Sequence, residues 1–118
     1  MARAAILILA GTDTHADLGR LVNALVAARE FKEAGEDVKV IFDGGATEWP
    51  HRLTDPGHTA HRLFQAVADV VEGACGFCAD AFTRHRGCPR AKVELLREYE
   101  GHPSVLGLVR NGYQVITF

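Results

Sequence analysis

The stretch Ala5-Ile6-Leu7-Ile8-Leu9-Ala10 is apolar without a break, and this constrains the fold more than any other feature of the chain. A strand with one wet face alternates apolar and polar residues, whereas a strand covered on both faces does not. The stretch is also far too short to cross a bilayer. Leu18, Leu21, Val22, Leu25, Val26 and Phe31 follow at helical spacing, with Thr12 or Asp13 placed to cap that helix and Gly35 to end it. Val38-Lys39-Val40-Ile41-Phe42 then reads as a second strand, closed by the turn Asp43-Gly44-Gly45. Strand, helix and strand in this order imply a right-handed crossover and a parallel pair.

The same alternation continues downstream. Residues 46–57 look irregular, broken by Trp49-Pro50 and Asp55-Pro56-Gly57. A helix is predicted over 58–68, with Leu63, Phe64 and Val67 inward, and a third strand over 69–74. Residues 75–83 read as a short helix, 85–89 as a loop and 93–96 as a short strand. Pro103 suits the first turn of a last helix carrying Val105, Leu108 and Val109, which Asn111-Gly112 ends before a final strand over 113–118. The pattern is that of a single α/β domain, 1–118, with an open and mostly parallel sheet. Its 118 residues, 47% of them apolar, suffice for a substantial core.

Charge and motifs narrow the function classes. A net charge of −2 gives no electrostatic reason to expect nucleic acid or an anionic membrane as a partner. Neither a P-loop nor a G-x-G-x-x-G motif occurs, and no cofactor is expected. The first apolar run leads straight into a helix pattern and not into a cleavage site, so a cytoplasmic, reducing setting is expected. In that setting three cysteines point to redox or metal chemistry more than to structural bridges.

Ligands of open parallel sheets bind beyond the carboxyl ends of the strands. Gly11, Thr12 and Asp13 arrive there after the first strand, Asp43 and Gly44 after the second, and Cys75 and Gly76 after the third. These are the candidate ligand-binding residues, although capping and turn formation explain the two aspartates equally well. Cys75 and Cys78, as C-x-x-C at a helix start, share one helix face. A helix N-terminus favours thiolate, so Cys75 is the candidate nucleophile and Cys78 the resolving thiol. The competing explanation is a pair of small buried residues.

A metal reading also fits the spacing. Cys75, Cys78, His85 and Cys88 form C-x2-C-x6-H-x2-C, a three-thiolate, one-imidazole set suited to zinc. Arg84, Arg86 and Arg90 around them are either a solvated basic loop or a positive rim that lowers thiol pKa. His15 is a candidate proton donor, or simply exposed. His51, His58 and His61 lack a completing carboxylate pattern and read as surface residues. Glu48-Trp49-Pro50 forms either a lid, a protein contact or core packing.

The passage from strand one into a helix, Val40-Ile41-Phe42-Asp43-Gly44, Cys75-Gly76-Phe77-Cys78, and the terminal Gly112-Tyr113-Gln114-Val115-Ile116-Thr117-Phe118 together resemble the DsrE-like family, the DsrE/DsrF/TusD-related proteins of the YchN-like fold. The resemblance covers most of the chain and is weakest over 47–57 and 86–97. It implies a single three-layer DsrE-like domain, a flavodoxin-like variant with five parallel strands, assembled as trimers or hexamers. It further implies a persulfide carried on a cysteine after the third strand, the position of Cys75. The expected function is therefore a small cytosolic persulfide carrier of the sulfur-relay type, sulfurtransferase-like but more a carrier than a turnover enzyme. Cys75 would accept sulfur, Cys78 would assist, and a sulfur donor or acceptor protein would be the partner. The alternatives are a metal- or ligand-binding subunit using Cys75, Cys78, His85 and Cys88, or a thiol–disulfide oxidoreductase.

Overall fold

The computed structural model of the chain describes residues 1–83 and 93–118. Among these, the strands are β1 (Arg3–Ile8), β2 (Asp37–Phe42), β3 (Val71–Cys75), β4 (Leu95–Leu96) and β5 (Gln114–Thr117). They form one sheet in the order β4-β3-β2-β1-β5, and every neighbouring pair is parallel. The helices are α1 (His15–Glu33), α2 (Trp49–Leu53), α3 (His61–Val67), α4 (Gly76–Thr83) and α5 (Val105–Arg110), with 3-10 turns at Gly44–Glu48 and Ala68–Val70.

The unbroken apolar character of β1 follows from burial on both faces. Ala4, Ile6 and Ile8, with Val38, Val40 and Phe42 of β2, face α1, Trp49, Leu53 and Phe64. Leu7 and Ile41 point the other way and meet Leu96, Leu108 and Val115 beneath α5. The protein is thus an α/β three-layer domain consistent with a flavodoxin-like fold. Its radius of gyration, 13.2 Å, is close to the roughly 13 Å of one folded domain of about this length. No helix among the described residues is long and apolar enough to cross a membrane.

Several boundaries differ from those read in the sequence. β1 starts at Arg3 and ends at Ile8, and the amides of Leu9 and Ala10 both donate to Phe118 O, at 2.7 and 3.3 Å. The α1 cap is Thr14, whose hydroxyl accepts from Asp17 N at 3.1 Å, and not Thr12 or Asp13. Its buried stripe is Leu21, Ala24, Leu25 and Ala28, while Val26 is exposed. The two alanines allow the helix close to the sheet, a role that apolar spacing of large residues does not reveal.

The first part of the stretch expected to be irregular, through Leu53, is helical, and only 54–57 is turn. Trp49 opens α2 and is buried, its indole N–H donating to Ala10 O at 2.9 Å, so it is core and not a lid. Pro50 is accommodated because it falls in the first turn. The helix predicted over 58–68 is limited to α3, followed by a 3-10 turn, and the third strand consequently runs to Cys75. On α5, Leu108 packs inward while Val105 and Val109 are exposed. β4 lies so close to β3 that a Cβ on Gly73 would sit 2.4 Å from Glu94 O.

Candidate functional site

β3 ends on Cys75 and α4 begins on Gly76, so the strand delivers one thiol and the first helical turn the other. Cys75 is fully buried and Cys78 half-buried, and neither is in a disulfide. The Cys78 amide donates to Cys75 Sγ at 3.5 Å. Asp43 stands just past the end of β2 and caps the following 3-10 turn, its carboxylate accepting from Gly44 N at 2.7 Å. Its own amide donates to Ile8 O at 2.8 Å, which fixes the residue to the neighbouring strand.

The fourth member, His102, comes from the segment ahead of α5, and its Nδ1 lies 3.1 Å from Cys75 Sγ. One donor atom from each of Asp43, Cys75, Cys78 and His102 can be chosen so that all four lie within 4.8 Å of one another. His102 is held by a tight hairpin: Tyr99 and His102 exchange two backbone hydrogen bonds of 2.8 Å around Glu100 and Gly101. Both central residues have positive φ, +52° and +83°, as a type I′ turn requires. Glycine adopts such angles freely, whereas glutamate does so under strain. The hairpin is fastened to α4, because Phe77 N donates to Gly101 O at 2.9 Å and the Phe77 and His102 rings lie 4.7 Å apart.

The electrostatics reverse one expectation. Burial pushes the Cys75 thiol up to about 12, the Cys78 amide pulling the other way and the nearby Asp43 carboxylate adding to the rise. The Cys78 thiol is also raised, again chiefly by burial. Cys75 is therefore not the low-pKa thiolate that a helix N-terminus suggests. Its sulfur hangs from the last residue of a buried strand, shielded from water beside a carboxylate, and desolvation outweighs one amide donor.

Of the other expected ligand-binding residues, Gly44 and Gly76 adjoin the thiol cluster, whereas Gly11, Thr12 and Asp13 do not join it. Gly11 lies against Gly45, whose added Cβ would come within 3.2 Å of Gly11 Cα. Thr12 Oγ1 donates to Glu48 at 3.0 Å, and Thr12 and Asp13 line a separate cleft of about 240 Å³ with His15, Trp49 and Arg52. His51, His58 and His61 are half-buried, and His51 and His58 line an open cleft with Arg52 and Asp55. His61 Nδ1 contacts Leu53 O at 2.6 Å, His58 Nδ1 accepts from Ala60 N at 3.1 Å, and buried His51 Nδ1 has no partner among the described residues. His85, Cys88, Arg84, Arg86 and Arg90 lie outside the described residues.

No family model matches the chain, and no solved structure matches it. Uncharacterized protein MJ0733 of Methanocaldococcus jannaschii is 30% identical to it over 96 residues, covering 81% of this chain and 78% of that protein. The chain belongs to the same family as MJ0733. That membership brings no reaction with it, so the chemistry of this MJ0733 relative has to be argued from Asp43, Cys75, Cys78 and His102. His102 carries no motif of its own. Its only signal in the sequence is Gly101-His102-Pro103, a histidine between a turn residue and a proline just ahead of a helix.

Proposed function

We propose that the chain is a DsrE-like persulfide carrier of the sulfur-relay type, in which the Cys75–Cys78 pair takes up sulfane sulfur and passes it on. The observation that carries this reading is the 3.1 Å approach of His102 Nδ1 to Cys75 Sγ, beside a second thiol at the carboxyl edge of a parallel sheet. In the transfer, a thiolate attacks the outer sulfur of a donor persulfide. One S–S bond forms as another breaks, and the donor leaves as its thiolate without net oxidation. The thiols are protonated in their buried setting, so a base must remove a proton first, and His102 is placed to accept the one on Cys75. Cys75, beside His102, is the attacking thiolate, and Cys78 assists by taking the sulfur on through the same exchange.

An apolar groove of about 580 Å³, lined by Tyr99, Pro103, Val105 and Leu106, opens beside Asp43 and His102 and supports approach of a donor or acceptor protein from that side. Assembly as a trimer or hexamer in a cytoplasmic setting belongs to the same proposal. It is supported by the exposure of Phe77, Leu95, Tyr99, Val105, Leu106 and Val109, since large exposed apolar patches mark contact surfaces.

The test is the intact mass of metal-free protein after exposure to polysulfide. A gain of sulfur that a reductant removes is expected, abolished by Cys75→Ser and reduced by Cys78→Ser with the far-ultraviolet circular dichroism unchanged. Undiminished loading of the Cys75→Ser/Cys78→Ser double variant would reject the carrier reading. Loss of a pair of hydrogens, mapped to a Cys75–Cys78 bond, would instead select the thiol–disulfide couple.

A further inference from the structure

We infer that Asp43, Cys75, Cys78 and His102 form a binding site for a zinc ion. The donor set is two sulfurs, one imidazole nitrogen and one carboxylate oxygen, the ligand types that zinc combines in four-coordinate sites. Hard cations such as magnesium and calcium call for a cage of oxygens, which a single carboxylate does not provide. The site is new relative to the spacing motif: it keeps Cys75 and Cys78 but completes the set from the end of β2 and from the hairpin before α5. Spacing along the chain could not reveal this, because the other two donors lie 32 residues before and 27 residues after Cys75.

Geometry supports the assignment. Zinc–ligand bonds of about 2.0–2.3 Å place tetrahedral ligand atoms roughly 3.3–3.8 Å apart. The four donors already lie within 4.8 Å of one another, and the Cys75–His102 pair is at 3.1 Å. The widest separation, at most 4.8 Å, exceeds the upper tetrahedral value by about 1 Å. Each donor sits on backbone fixed for other reasons: Asp43 by its bond to Ile8 O, Cys78 by the first turn of α4, and His102 by the hairpin and the Phe77 ring. Cys75 is buried while the other three are half-buried, which gives a shielded floor with an open side for entry. Binding sends the two thiol protons to solvent, and the resulting two thiolates and one carboxylate exceed the charge of the ion by one.

The inference does not rest on the persulfide reading, although the two share their thiols. A bound ion would occupy the sulfurs that sulfane sulfur needs, so zinc occupancy and sulfur loading should exclude each other.

The experiment is titration of the reduced, metal-free full chain with cobalt(II), followed by displacement with zinc. Expected are one ion per chain, a thiolate-to-cobalt charge-transfer band and the intense visible bands of tetrahedral cobalt, all abolished by zinc. Asp43→Asn, which keeps an oxygen to accept from Gly44 N, and His102→Ala should each weaken binding by at least about tenfold while the circular dichroism stays native. If Asp43→Asn and His102→Ala bind as the parent does, the four-donor site is wrong and the thiols alone hold the ion. An octahedral spectrum without the thiolate band would also overturn it. Polysulfide loading is measured on separate metal-free samples, so a failed carrier and a failed metal site give different results.

Discussion

Glu100 and Gly101 show how much of the site depends on single backbone angles. Gly101→Ala places a Cβ at φ +83°, where an L side chain loses about 1–2 kcal/mol, and the urea midpoint should fall accordingly. Glu100→Gly should do the reverse by a smaller amount, because it relieves the residue held at φ +52°. A second residue-level effect belongs to Asp37. Its carboxylate accepts from Arg3 and from the Tyr113 hydroxyl, both at 2.9 Å, and these bonds hold its pKa below the usual range. A carboxyl depressed in the folded state adds stability above its unfolded pKa near 4, and that stability is lost as pH falls through the folded value. Asp37→Asn should therefore lower the urea midpoint at neutral pH and flatten its decline on acidification. Cys75 and Cys78 were legible in the sequence because their relation is local, set by three residues of helix. His102 was not, because its position depends on a hairpin containing a glutamate at positive φ, which no propensity favours.

Among the elements, β4 is short and held mainly by its closeness to β3. Gly73→Ala would force Glu94 O and the Leu96 side chain away from the new Cβ, costing about 1–3 kcal/mol. The Ala74 amide, which donates to Glu94 O at 2.9 Å, should then exchange faster with deuterium. Elements with a strong periodic signal, β1, α1 and β2, were read correctly in kind, with ends displaced by a few residues. α2 was hidden because Trp49-Pro50 looks like a break, whereas the proline occupies a first turn and the tryptophan fills the core. Trp49→Phe removes the indole donor to Ala10 O and leaves a buried carbonyl unpaired, with an expected loss of about 1–3 kcal/mol in chemical denaturation.

At the scale of the molecule, the two sides of the sheet are unequally clothed. One carries α1, α2 and α3 over a large core, while on the other a small cluster around Leu7, Ile41 and Leu96 lies beneath α5. Unbroken apolar runs in the strands announce that both faces are covered, but they do not reveal how thinly. If the proposed assembly forms, the exposed Val105, Leu106 and Val109 of α5 make this thinner side its contact surface. Sedimentation velocity should find an oligomer, and Leu106→Glu should shift it toward monomer with the fold intact. The four-donor cluster has a further thermodynamic consequence. Asp43, Cys75, Cys78 and His102 meet only once β2, β3 and the hairpin before α5 are in place, so a ligand held by all four binds the native chain and not the unfolded one. By mass action, a ligand at one hundred times its dissociation constant would add about 2.7 kcal/mol to folding. The melting temperature of this protein should thus report the concentration of whatever its site retains.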